Sequence, residues 1–253
     1  MVYLEAPQLK PVTRQTLLDV ANTITDAPAY ALLNALKYQP RILDGANRPV
    51  PTGKDEKKTF DKRTAENVTP KLFQAYRGLD ESLLNGAGYG AAELAELFKA
   101  GEPLFVEERV QELLLNPAAV DITPTPGTAL TDPKAALGLL EQWIATRFLY
   151  QPTLSGNLLA VNLIQPGVPT ITETPHGAPI ASAAGFSAEG PDGQEAGPGE
   201  AWLYISGQIN IWTGATPAVV SGSALDRNRD LSLAEKSYAA SVDGPVAAIL
   251  IGY

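Results

Sequence analysis

The side chains that carry most enzyme chemistry are scarce in this sequence. It holds one histidine and no cysteine. Thiolate metal sites, disulfides and cysteine nucleophiles are therefore excluded, and any catalytic histidine has to be His176. That residue sits in Thr174-Pro175-His176-Gly177, which is turn-forming text, and the chain has no Gly-x-Ser-x-Gly elbow to pair with it. Asp226-Arg227-Asn228-Arg229-Asp230 alternates oxygen ligands as the opening of a calcium loop does. Its sixth position is Leu231 instead of glycine, and its twelfth is Ser237 instead of the bidentate glutamate, so a charged turn between strands is the plainer reading. The glycine-rich stretches 86–90 and 185–199 match no dinucleotide or phosphate-loop pattern. The second leads into a strand, where a phosphate cradle needs a helix. Glu107 and Glu108 read as the solvated face of a helix. The basic pairs Lys57-Lys58 and Lys62-Arg63 are balanced by Asp55, Glu56 and Asp61, so no basic surface for nucleic acid arises. The sequence points to no catalytic residue, no cofactor and no metal.

What remains legible is the set of elements. Residues 1–12 carry several apolar–proline steps and read as an extended arm. From Thr13 to Tyr38, Leu17, Leu18, Ala21, Ile24, Ala31, Leu32, Ala35 and Leu36 recur at helical spacing, with Thr13 or Thr16 as cap and a break at Asp26-Ala27-Pro28. The strongest helix runs from Ala91 to Leu115, with Leu94, Leu97, Phe98, Phe105, Val110, Leu113 and Leu114 as its apolar face; Gly101-Glu102-Pro103 should kink or split it. Asp132 or Thr131 caps a helix opening at Pro133 and running to about Tyr150, with Ala136, Leu139, Leu140, Trp143, Ile144 and Phe148 inward. A shorter helix follows over 156–164. From Thr170 the text is β, with Ala201–Trp212 the clearest strand and Val246–Ile251 a buried one.

Between the first two helical regions the chain changes character. Residues 39–71 hold Pro40, Pro49, Pro51, Gly53 and Pro70 and a dense charge run from Lys54 to Arg63, flanked by strand-like pieces at 41–44 and 71–76. The simplest account is a two-stranded excursion with a charged tip, which is marginal alone and needs another surface to pack on; a disordered surface loop is the alternative. The candidate contact residues on it are Lys54, Glu56, Lys57, Lys58, Phe60, Asp61, Lys62 and Arg63. The chain carries a net charge of −9. Residues 1–75 are net basic and 76–253 strongly acidic, a split that suits head-to-tail pairing of copies or reflects ordinary surface variation. No apolar run is long enough to span a membrane, and the N-terminus lacks a basic-then-apolar export signal.

The order of arm, extended excursion, long helix and closing α+β region resembles the Hong Kong 97-type capsid fold of tailed bacteriophages and encapsulins. The text is similar in particular to small capsid proteins of phages infecting actinobacteria. The matching pieces run in order: Arg48-Pro49-Val50-Pro51, Glu56 to Asp61, Lys71 to Tyr76, Asn116 to Asp121, Ala135 to Gln142 and Thr174 to Ile180. They continue through Gly185-Phe186, Gly190-Pro191, Glu200 to Gly207 and Ala234-Glu235-Lys236. The family pattern has arginine where this chain has Lys236, and cysteines that this chain lacks. The resemblance implies an α+β fold with an arm and helix at 1–38 and an extended loop at 39–72. A peripheral strand and spine helix would fill 73–117, and an axial α+β region 118–253. It implies a non-enzymatic, self-assembling shell subunit of a virion, major or minor, or alternatively a decoration, adaptor or tail protein attached to the shell. The implied partners are other copies in hexamers and pentamers and other capsid proteins, with no membrane and no sequence-specific nucleic acid. Assembly would take place in the host bacterial cytoplasm.

Overall fold

The computed structural model describes residues 14–25, 27, 36–39, 68–82, 91–115, 119–165, 172–214, 216–224 and 228–253. The extended arm expected at 1–12 lies outside them, and so does almost all of the excursion, including Lys54, Glu56, Lys57, Lys58, Phe60, Asp61, Lys62 and Arg63.

Among the described residues, three α-helices and a short turn of helix are arranged on one mixed sheet. The helices are α1 (Leu17–Val20), α2 (Ala91–Leu115), α3 (Pro133–Ala145) and α4 (Leu158–Ile164). The strands are β1 (Asn22–Ile24), β2 (Lys71–Ser82), β3 (Ala119–Asp121), β4 (Thr153–Gly156), β5 (Ile180–Ser182), β6 (Glu200–Thr213), β7 (Ala218–Ala224) and β8 (Arg229–Gly252). Among the described residues the strand order is β2-β8-β6-β4-β5. In addition β1 lies parallel on β6, β3 parallel on β8 and β7 antiparallel on β8.

β8 organises the sheet. Its first half pairs with β2 from Lys71↔Ala240 to Ser82↔Arg229, and with β7 on the other side. Its second half pairs with β6 and β3. Val246–Ile251, read from the sequence as a buried strand, is the last part of β8, which runs straight through Asp243-Gly244-Pro245. The register between β6 and β8 shifts between Ser206 and Gln208. At that bulge Gly207 lies against the backbone of Asp243, where a Cβ would overlap the Asp243 carbonyl, and Gly244 takes a φ of +103° that favours glycine.

The bulge decides which side chains face which layer. Trp202 and Tyr204 point toward α2 before it, and Ile209 and Ile211 after it, so the inward parity of β6 switches from even to odd. Ala234, Tyr238, Ala240, Val246, Ala248 and Leu250 of β8 keep one parity throughout. On the opposite face Ala201, Leu203, Ile205, Ala247, Ile249 and Ile251 meet Ala136, Leu137, Leu140 and Ile144 of α3 and Ala160 and Ile164 of α4. Being covered on both sides explains why these strand segments are continuous apolar runs instead of alternating ones.

Several expectations are corrected. The helix expected from Thr13 ends at Val20. Thr16 does start it, with Asp19 accepting from the Thr16 backbone N–H at 2.8 Å and hydroxyl at 2.7 Å. Asn22, Thr23 and Ile24 then form β1 instead of continuing it, because β6 offers an open strand edge and Thr23 and Ile24 are β-branched. Residues 71–76 do form a strand, and its partner within the described chain is β8; residues 41–44, the other strand-like piece, lie outside the described residues. α2 spans the expected residues and continues unbroken through Pro103, so no split occurs. A proline forfeits one helical hydrogen bond, while burial of Leu94, Phe98, Val106, Val110 and Leu114, all at 4% exposure or less, holds the segments on either side against the sheet. α3 ends at Ala145, not near Tyr150, with the Asp132 carboxylate capping Lys134 N at 3.0 Å and Ala135 N at 3.2 Å. Leu137 takes the inward place expected for Leu139, which is 42% exposed, and Trp143 is only partly buried. Strand β4, fully buried, had no expectation at all.

Candidate intersubunit surface and the clasps behind it

The root of the excursion is described on both sides. Tyr38 N donates to Val68 O at 3.1 Å and Val68 N to Tyr38 O at 2.9 Å, an antiparallel bridge. The Tyr38 ring lies 5.1 Å, centroid to centroid, from Trp212 of β6. Its hydroxyl donates to Asp243 Oδ1 and lies 2.6 Å from Ser241 Oγ. With the phenolic O–H directed at the carboxylate, Ser241 donates to the Tyr38 oxygen. Burial and the Asp243 carboxylate both push the Tyr38 phenol upward from its ordinary pKa, so it stays a donor. Asp243 also accepts from Asn210 Nδ2 at 3.0 Å. Asn210 Oδ1 in turn accepts from Asn22 Nδ2 at 2.9 Å and Gln208 Nε2 at 2.7 Å. These polar groups occupy the sheet face that is apolar on the other side of the Gly207 bulge, and they satisfy one another.

A second clasp holds the start of the described chain. Glu107 on α2 is fully buried. Arg14 Nη1 donates to its Oε1 at 2.7 Å and Nη2 to its Oε2 at 2.9 Å, a bidentate pair. Gly185 N donates to Oε2 at 2.9 Å and Leu17 N to Oε1 at 3.4 Å. Arg14 also donates to the Ser182 carbonyl. One turn on, Gln111 accepts from Ser187 N at 2.7 Å and donates to the Glu189 carbonyl at 3.0 Å. Glu107 is therefore not part of a solvated face. Its neighbour Glu108 is exposed as expected. Sequence reasoning missed the pair because the partner lies 93 positions away. The available signal was glycine at 185: its Cβ would overlap the Leu104 carbonyl of α2, which fixes that loop against the helix.

Glu102 turns inward on the same helix. It accepts from Lys236 Nζ at 2.7 Å and Tyr238 OH at 2.8 Å, tying the middle of α2 to β8. Burial and the adjacent Glu102 carboxylate raise the Tyr238 pKa. Lys236 thus makes a structural ion pair with Glu102. Nearer the helix end, the Lys71 ammonium bonds Glu112 and holds that carboxyl below its usual pKa.

Among the described residues, none covers the outer face of β2, β8 and β7. Phe73, Ala75 and Leu79 of β2, Ala234 and Tyr238 of β8 and Val219 of β7 face α2. The alternate residues face away from it: Tyr76 is 77% exposed, Val220 66%, Leu231 46% and Leu72 37%. Tyr76 stands opposite Glu235, and Val220 opposite Leu233.

Among the described residues, the remaining sequence candidates do not assemble into a chemical site. His176 is exposed in a turn closed by Gly177 N to Thr174 O at 2.9 Å, with Nε2 3.7 Å from Glu141 Oε2. Asn228, with a φ of +55°, directly precedes β8, which takes in Arg229 and Asp230, while Asp226 and Arg227 lie outside the described residues. Among the described residues no group of three or more histidine or acidic side chains is placed to hold a metal, and no helix is long and apolar enough to cross a membrane.

No protein-family model matches the chain, and no curated protein matches it by sequence. Solved structures match over nearly its full length. A chain from Mycobacterium phage Che8 is 12% identical with a TM-score of 0.60, covering 98% of this chain and 96% of that one. One from Gordonia phage Cozz is 13% identical at 0.59, covering 100% and 91%. The capsid asymmetric unit of cyanophage Pam1 holds a chain 8% identical at 0.60, covering 100% and 96%. At such identities the likeness is one of fold, and the α+β arrangement with its long helix and mixed sheet is the Hong Kong 97-type fold that the sequence resembled.

Proposed function

We propose that this chain is a self-assembling shell subunit of a tailed bacteriophage, a major, minor or pentamer-forming capsid protein. The observation that carries this reading is full-length agreement of fold with chains such as that of the cyanophage Pam1 capsid, including the long helix and the sheet it packs on. On this reading residues 1–38 serve as arm, 39–72 as extended loop, 73–117 as peripheral part and 118–253 as axial region. The excursion, with Lys54, Glu56, Lys57, Lys58, Phe60, Asp61, Lys62 and Arg63 as its contact candidates, lies on a neighbouring copy. The open face carrying Leu72, Tyr76, Val220 and Leu231 is a surface of the kind such an arm covers. Copies would associate as hexamers and pentamers and with other capsid proteins, in the host bacterial cytoplasm and then in the virion. A net charge of −9 makes the wall a poor binder of the packaged DNA.

The test is direct. The purified chain is run on size-exclusion chromatography and imaged by electron microscopy. Shells, tubes or capsomers are expected. Persistent monomers that instead bind preformed shells would make it a decoration or adaptor protein.

A further inference from the structure

We infer that Asn210 and Asp243 are positioning residues that couple docking of β1 to the direction in which the chain leaves the body at Tyr38. This rests on the shell-subunit reading for its purpose, but not for its geometry. The two segments concerned are separate in sequence and meet on one pair of side chains. Asn22, the first residue of β1, donates to Asn210 Oδ1 at 2.9 Å. Asn210 donates to Asp243 Oδ2 at 3.0 Å. The other oxygen of Asp243 accepts from Tyr38, the residue whose backbone bridges to Val68. Trp212 repeats the convergence: Ile24 pairs with it in the sheet, and the Tyr38 ring packs on its indole.

The chemistry makes these links interdependent. Asn210 is 3% exposed, so its amide cannot turn to water when a partner is lost. Withdrawing Asn22 leaves Asn210 Oδ1 with Gln208 alone, which frees the amide to rotate and loosens its grip on Asp243. Asp243 then holds Tyr38 less firmly. The bulge contributes as well, because the Asp243 carbonyl packs against Gly207 and fixes the height of its side chain above the sheet. Undocking of β1 is therefore felt at the root of the excursion, the bridge between Tyr38 and Val68.

The experiment is a double-mutant cycle on the full chain with Asn22→Ala and Tyr38→Phe. Tyr38→Phe keeps the ring on Trp212 and removes only the hydroxyl. Two quantities are read: amide hydrogen exchange of the monomer at Tyr38 and Val68, and the yield of assembled particles. Asn22→Ala is expected to speed exchange at both amides by ~3-fold or more while leaving Ile205, in the far half of β6, unchanged. The combined variant is expected to lose no more assembly than the more damaging single variant. Unchanged exchange at Tyr38 and Val68 in Asn22→Ala, or effects that simply multiply, would overturn the coupling. If the unaltered chain forms no particles, the shell reading falls, and the exchange measurement still decides the coupling.

Discussion

A carboxylate with no solvent exposure is stable as an ion only while its donors are in place, and Glu107 has four of them. Arg14→Ala is expected to destabilise the fold by about 3 kcal/mol, because it leaves the charge buried and half unpaired. Removing both charges with Arg14→Ala and Glu107→Gln together should cost less than Arg14→Ala alone, and urea unfolding midpoints of the unaltered chain and the two variants check the order. A backbone position gives the second residue-scale expectation. Gly207→Ala must push a methyl into the Asp243 carbonyl, so it should lower stability by about 2 kcal/mol and shift the β6–β8 register, visible as changed amide shifts along both strands. At this scale the sequence was least readable. Glu107 differs from Glu108 in nothing but its neighbours in space, and the inward face of α2 carries Glu102, Glu107 and Gln111 among its leucines and valines. An apolar stripe interrupted by satisfied polar residues looks like a weaker stripe, not like a set of clasps.

Elements were legible where one period dominates. The bounds of α2, the Asp132 cap of α3 and the apolar run of β6 follow from local text. They were misread where a tertiary partner overrides local preference. β1 is three residues that pair with β6, and the first half of β8 is polar text made into a strand by neighbours on both sides. Pro103 gives an element-scale prediction. Because α2 is continuous there, Pro103→Ala restores a helical donor and is expected to raise stability by about 1–3 kcal/mol, read as a higher melting temperature. A lower melting temperature would show that the proline shapes a contact the helix needs.

For the molecule as a whole, the two apolar layers lie on the faces of the sheet and are built by side chains of the described helices and strands. Deleting residues 54–63 is therefore expected to leave a soluble chain that melts cooperatively and no longer forms particles, since loop length changes closure entropy only slowly. Calorimetry checks the first half and electron microscopy the second; normal particles would remove the excursion from the proposed interface. The placement of β8 has a consequence for the order of synthesis. β2, β3, β6 and β7 all take it as a partner, and it is made after every one of them. A nascent chain still short of Arg229 can pair β1 and β4 with β6 and β5 with β4, but β2, β3 and β7 have nothing to pair with, so the face that β2 and β7 build with β8 cannot form on the ribosome before that stretch emerges. On the shell-subunit reading, unfinished chains are thereby kept from offering that face to finished ones.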